Sequence, residues 1–176
     1  MKKIAFITLS LLLAVSFWNC EKDDICVDGT PVTPRLIIEF YDAANPTVLK
    51  NVTNLRVEEL NTDNGVVFNE DIDETLPARY LSNGSKIAIP LKTFSETSAF
   101  EFIFNYGDAA ANTDAITFNY TKDDVYISRA CGYKTIFNLI DITPTPFPVS
   151  GYWIQDIDII QSNIETENEV HVKIYF

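Results

Sequence analysis

The sequence predicts an all-β protein, an antiparallel β-sandwich of immunoglobulin-like type with about nine or ten strands. Three observations predict it. From Arg35 onward the dominant apolar period is two, the signature of a strand with one buried face. The apolar runs are short and are separated by turn residues such as Asn61-Thr62-Asp63-Asn64-Gly65 and Asn83-Gly84-Ser85. No stretch of this region reads convincingly as a helix.

The chain begins with Lys2 and Lys3, then twelve apolar-rich residues from Ile4 to Val15. That run is too short for a lasting membrane-spanning helix and has the layout of a secretory signal. Residues 1–19 are read as a signal peptide, 20–33 as the start and tether of the exported chain, and 34–176 as the β-sandwich domain. The residues Phe17-Trp18-Asn19 suit the ordinary signal peptidase poorly, since it wants small side chains one and three positions before its cut. A lipoprotein signal instead needs a cysteine at the cut, where the thiol takes up lipid. Cys20 stands in that place. Position alone leaves two readings, lipid attachment at Cys20 or a plainly secreted chain with Cys20 free or paired.

The strands follow in order. In RLIIEFY, Leu36, Ile38 and Phe40 share a face; in NLRVEEL, Leu55 and Val57 do. Asn64-Gly65 is a strong hairpin cue, and VVF follows it. Ile87, Ile89 and Leu91 alternate in KIAIPL. Phe100, Phe102, Phe104 and Tyr106 line one face of AFEFIFNY, and Ile116, Phe118 and Tyr120 one face of ITFNYT. Lys122-Asp123-Asp124 reads as a turn into VYIS, and KTIFNLID follows Cys131-Gly132. The prolines of Thr143-Pro144-Thr145-Pro146-Phe147-Pro148 lack the ladder donor, so that segment reads as a loop or crossover. YWIQDIDII and VHVKIYF complete the set, with Val170, Val172, Ile174 and Phe176 alternating.

Charge excludes one class of partner. Loss of residues 1–19 removes Lys2 and Lys3 and leaves 11 basic against 25 acidic residues, a net charge of −14. Such a surface repels nucleic acid and anionic lipid.

Three cysteines in an exported chain invite a disulfide and leave one over. If Cys20 carries lipid, Cys26 and Cys131 remain as a pair. Two free thiols are the alternative. A metal site is the weakest reading, because the C-x5-C spacing of Cys20 and Cys26 comes with one remote histidine.

Candidates for chemistry are few. His171 is the only histidine. It lies in VHVKIYF on the face of Lys173 and Tyr175, which predicts a solvent-facing strand residue. Any Ser-His-Asp or Cys-His scheme must use it, and no G-x-S-x-G accompanies it. Cys131 as a nucleophile requires a reduced thiol. Asn69-Glu70-Asp71-Ile72-Asp73-Glu74 is the densest acidic run, but it lacks the EF-hand pattern. A solvated loop is expected there, with calcium binding left open. Asp156 and Asp158 share a strand face, as alternation alone requires. Tyr152 and Trp153, beside the proline loop, are loosely placed aromatics for which packing in the core or at an edge is the favoured reading and a sugar-binding platform the alternative. No catalytic constellation, cofactor or metal site is predicted. The N-x-[ST] sequons at Asn51, Asn83 and Asn119 read as chance if the N-terminus is a bacterial lipoprotein signal.

"CEKDDIC", "TPRLIIEFYD" and "VYISRACGYK" resemble a family of uncharacterised lipoproteins from Bacteroidota, especially the flavobacterial branch. The resemblance spans the chain from Cys20 on. It is most specific at Cys26, Pro34-Arg35, Phe40-Tyr41 and Cys131-Gly132-Tyr133. It implies lipidation at Cys20 and supports the Cys26–Cys131 pairing. Lys22-Asp23-Asp24, behind the first cysteine, resembles that lineage's signal for export to the cell surface. Outer-membrane anchoring is therefore expected, at the surface or in the periplasmic leaflet. The function expected is a non-enzymatic binding or assembly module whose partners are the membrane and another envelope protein. The alternative is a glycan-binding or glycan-processing lipoprotein of a nutrient-uptake system.

Overall fold

A computed structural model describes residues 25–26, 33–145 and 151–176. Residues 1–19, read above as a signal peptide, and Cys20, Lys22, Asp23 and Asp24 lie outside the described residues. Two compact units divide the chain: Met1–Thr30 with Tyr126–Tyr133, and Pro31–Val125 with Lys134–Phe176.

The larger unit is a β-sandwich. One sheet is built on β1 (Leu36–Asp42), whose two edges are both used. Along one edge, β5 (Lys86–Ile89) pairs antiparallel with Leu36 to Glu39, and β2 (Asn45–Leu49) takes over at Tyr41. Along the other edge runs β11 (Val172–Tyr175), parallel to β1, followed by β9 (Asp156–Ile159), antiparallel to β11. The second sheet has the order β10 (Asn163–Ile164), β8 (Gly132–Thr145), β7 (Asn112–Ser128), β6 (Thr97–Phe104), β3 (Leu55–Glu59), β4 (Leu81–Ser82). The sandwich predicted from the alternating pattern is the fold found. Among the described residues it has eleven strands, and β1 with β11 forms a parallel pair in a mainly antiparallel arrangement.

The period-two residues make the core. Leu36, Ile38 and Phe40 of β1 and Val172 and Ile174 of β11 are buried, as are Phe100 and Phe102 of β6 and Ile116, Phe118 and Tyr120 of β7. Each fully buried side chain of this size contributes about 1.5–3 kcal/mol of transfer free energy. One buried polar cluster is satisfied locally. The Tyr120 hydroxyl donates to the Lys92 carbonyl at 2.9 Å and lies 2.7 Å from Ser98 Oγ, which accepts the Lys92 N–H at 2.9 Å.

Several expectations are corrected. Lys122-Asp123-Asp124 is no turn: β7 runs through it to Ser128. Its residues from Asp123 to Tyr126 are exposed, so no core face dictates their pattern. Strand β8 continues through Pro144 to Thr145. It tolerates the proline because β10 pairs with it only at Phe137 and Asn138, leaving that edge open further along. The chain turns at Leu60–Thr62 rather than at Asn64-Gly65, and Gly65 pairs back on Glu58 as a single bridge, so Val66-Val67-Phe68 forms no strand. Strands β2, β4 and β10 were not foreseen. Every residue of β2 is exposed, and the other two are two residues long, so none displays a hydrophobic period.

In the smaller unit, β7 ends at Ser128, residues 129–131 turn, and β8 begins at Gly132. Gly132 has φ +71°, a left-handed conformation that side chains disfavour. The Cys131 N–H donates to Ser128 Oγ at 3.0 Å. Cys26 and Cys131 form a disulfide with 4.8 Å between their Cα atoms.

Candidate functional site

Two concavities stand out in the sandwich unit. The larger, about 820 Å³, is lined by residues including Arg35, Asn69, Glu70 and Lys86. Its cations are already engaged. Arg35 forms a two-pronged pair with Glu167, Nε to Oε1 at 2.8 Å and Nη2 to Oε2 at 2.7 Å, and Lys86 Nζ lies 3.7 Å from Glu39.

The smaller cavity, about 420 Å³, has an apolar wall with a carboxylate in it. Ile116, Ile142, Pro144, Tyr152, Ile154 and Ile157 line it with Asp114, Gln155 and Asp156. Asp114 is held there by phase: it sits on β7 two residues before Ile116, on the inward face, and is 3% exposed. Its Oδ2 accepts the Ile154 N–H at 2.8 Å, pinning the segment that leads into β9, while Oδ1 is buried without a partner. Burial raises the Asp114 pKa above the usual carboxylate value, against the lowering effect of the Ile154 and Trp153 amides. An incompletely satisfied, buried carboxyl in an apolar wall is an acceptor suited to a hydroxyl or amine. The signal was present in the sequence as an aspartate in phase with Ile116, Phe118 and Tyr120.

The residues singled out from the sequence fall elsewhere or take other roles. His171 is not solvent-facing. It is 1% exposed, its Nδ1 accepts the Ile37 N–H at 2.9 Å, and its own N–H donates to the Ile37 carbonyl at 3.0 Å. The alternation of β11 places it off the core face. It is buried because Ile160 and Gln161 close on its carbonyl and its ring receives a main-chain bond. Trp153 is a core residue. It stacks on Phe104 at 5.1 Å and donates Nε1–H to the Phe102 carbonyl at 3.0 Å. Tyr152 stays 53% exposed beside it, on the wall of the smaller cavity. Asp158 accepts the Tyr175 hydroxyl at 3.0 Å, and Asp156 and Asp158 line one shallow concavity with Tyr175, as their shared strand face predicts.

The acidic loop is exposed and organised internally. Asp73 Oδ1 takes the Thr75 N–H at 2.9 Å and its hydroxyl at 2.6 Å, and Arg79 Nη1 donates to the Glu70 carbonyl at 2.6 Å. Among the described residues, no three His, Cys, Asp or Glu side chains converge as a metal site.

Residues 54–176, which include Asp114, Tyr152 and His171, match the family of unknown function DUF6452. The chain belongs to that family. In DUF6452 terms the match starts at the residue before β3, so Asp114 and Cys131 fall inside it while β1 and Cys26 precede it. No curated protein matches the chain. No solved structure matches it either.

Proposed function

We propose that this DUF6452 protein is a lipid-anchored, non-enzymatic binding or assembly module of the bacterial cell envelope. One observation carries the reading. The Cys26–Cys131 disulfide uses two of the three cysteines and leaves Cys20, directly behind the apolar signal run, as the single thiol for lipid. Residues that would serve nucleophilic chemistry have structural duties. Cys131 is a disulfide half, and the His171 ring nitrogen Nδ1 holds a main-chain amide. The anchor sits in the outer membrane, displayed at the surface through Lys22-Asp23-Asp24 or held in the periplasmic leaflet. Labelling growing cells with an alkyne fatty acid tests the anchor. Label in the wild-type protein and none in Cys20→Ser is expected; an unlabelled wild-type protein overturns it.

A second reading is favoured by the smaller cavity. Asp114 and Asp156 in its wall, with the exposed Tyr152 ring beside them, suit a hydroxyl-rich ligand such as a glycan. Calorimetry against envelope and dietary oligosaccharides tests it. Heat lost in Asp114→Asn and Tyr152→Ala supports glycan binding, and absence of heat across the panel removes it.

A further inference from the structure

We infer that the turn between β7 and β8 rests in the headgroup layer of the membrane that holds the chain's lipid, with Tyr126 and Tyr133 as its contacts. The inference rests on the lipid-anchor reading above and adds to it a second, protein-borne contact.

The first argument is reach. Six Cα–Cα steps join Cys20 to Cys26, so the tether between them spans at most ~21 Å when fully extended. The disulfide then carries the chain to Cys131 across 4.8 Å. Cys131 is therefore held within ~26 Å of an acylated Cys20 whatever path the tether takes. A headgroup layer is itself roughly 5–7 Å deep, so a turn tethered within ~26 Å of the lipid can reach that layer, although the tether alone does not force it there. Without the disulfide, nothing in the covalent chain would keep residue 131 near residue 20.

The second argument is what the turn displays. Tyr126 and Tyr133 lie on the two arms beside it, 54% and 63% exposed, with ring centroids 5.4 Å apart in an edge-to-face arrangement. Paired aromatic rings in water are normally buried, and tyrosine, with an apolar ring and a polar tip, is the side chain enriched at membrane interfaces.

The third argument is charge. Val125 to Ile140 holds Arg129 and Lys134 and no acidic residue, in a chain of net charge −12. Asp123, Asp124 and Asp141 bound this stretch, and Asp124 accepts the Thr135 hydroxyl at 2.8 Å, so repulsion from anionic lipid is reduced at the turn itself and returns along the two arms. A protein partner would suit the tyrosines equally, but only a bilayer is already held within reach by Cys20.

The test uses the full lipidated mature protein in vesicles of phosphatidylethanolamine and phosphatidylglycerol with brominated acyl chains. Cleavage before Cys20 removes Trp18 and leaves Trp153, which is 8% exposed and stacked on Phe104, as a silent reference. Tyr126→Trp adds one indole at an exposed site. Its emission is expected to be quenched several-fold more than the wild-type signal, and the quenching is expected to fall when Cys26→Ser and Cys131→Ser are combined with it. An added indole that stays unquenched on acylated, vesicle-bound protein overturns the inference and leaves the anchor standing. Mature protein that carries no acyl group overturns both.

Discussion

Ile37 and His171 bond each other twice, once through the main chain and once through the imidazole. The His171 N–H donates to the Ile37 carbonyl at 3.0 Å, and the Ile37 N–H donates to His171 Nδ1 at 2.9 Å. The ring is thus neutral with its proton on Nε2, standing in for a strand neighbour at the start of the parallel β1–β11 ladder. Burial lowers its pKa from the ordinary value of 6.5, opposed by Glu169 and Glu167 and assisted by Lys86. Above about pH 6.5 the folded and unfolded chains both carry a neutral ring and the site is fully stabilising. As the pH falls below that, the unfolded chain takes a proton that the folded one refuses, so stability drops until the folded-state value is passed. Urea denaturation between pH 7.5 and 5 is expected to show this loss. His171→Gln should flatten the slope, while His171→Ala should cost about 1–3 kcal/mol at pH 7.5 by orphaning the Ile37 amide. Wild-type stability that is level across this range would refute the assignment.

Glu167 adds a second acid-sensitive contact lower on the pH scale. Its hydrogen bond from Arg35 is the largest cause holding its pKa below 4.5. Its contribution is present above pH 4.5 and is lost as the pH falls through the folded value. The pair is partly exposed, 45% and 33%, so Glu167→Gln is expected to cost only about 0.5–1 kcal/mol at neutral pH, less at high salt. Chemical denaturation at low and high salt measures both effects.

Tyr120 closes a network whose members are all accounted for. Tyr120→Phe keeps the edge-to-face contact with Phe137 at 5.2 Å but strips the Lys92 carbonyl of its donor and Ser98 of its neighbour. A loss of about 1–3 kcal/mol with native spectra is expected. Ser98→Ala with Tyr120→Phe should cost less than the two single losses summed, because the groups share one network. A double-mutant cycle in urea reads the coupling.

The sandwich was legible because its core strands keep one face apolar: Phe100 and Phe102, Ile116 to Tyr120, Val172 and Ile174 all fall where alternation puts them. Legibility fails where burial is decided by something other than that face. β2 is exposed along its whole length and is held by pairing with Tyr41 and Asp42. His171 is polar, out of phase and buried, because its ring substitutes for a backbone acceptor. Asp114 is the converse, in phase but charged, and alternation alone made it inconspicuous. Trp153, beside the prolines, packs among Phe40, Phe104 and Phe176, in line with the core or edge packing favoured from the sequence. The disulfide was readable by counting cysteines only on the reading that sets Cys20 aside for lipid, which leaves Cys26 and Cys131 as a pair.

That disulfide closes a loop of 105 residues. In the chain-entropy model a loop of this length contributes about 4–5 kcal/mol, an upper figure where the unfolded chain is already compact. Cys26→Ser with Cys131→Ser is expected to lower the denaturation midpoint by a matching amount or somewhat less. The single variants should behave alike, since each breaks the same bond. A non-reduced digest gives the direct check, with one cross-linked peptide pair expected in place of two alkylated thiols.

Asp114 separates a structural carboxylate from one kept for binding. With its pKa raised by burial, the group is most favourable to folding when protonated, below pH 3.8, and that advantage is lost as the pH rises through the folded value. At neutral pH the protein carries a buried acid whose Oδ1 has no partner among the described residues. Asp114→Asn keeps an oxygen for the Ile154 amide and removes the cost of burying charge, so it is expected to be as stable as wild type at pH 7 or up to about 1 kcal/mol more stable. Asp114→Ala leaves the Ile154 amide short of an acceptor and should lose about 1–3 kcal/mol. Thermal and urea unfolding at pH 7 measure the set. If the asparagine variant is the more stable, the carboxylate is a liability to the fold, and what it offers lies in the cavity it lines. If it is markedly less stable, Asp114 is a structural acceptor and the glycan reading loses its central residue.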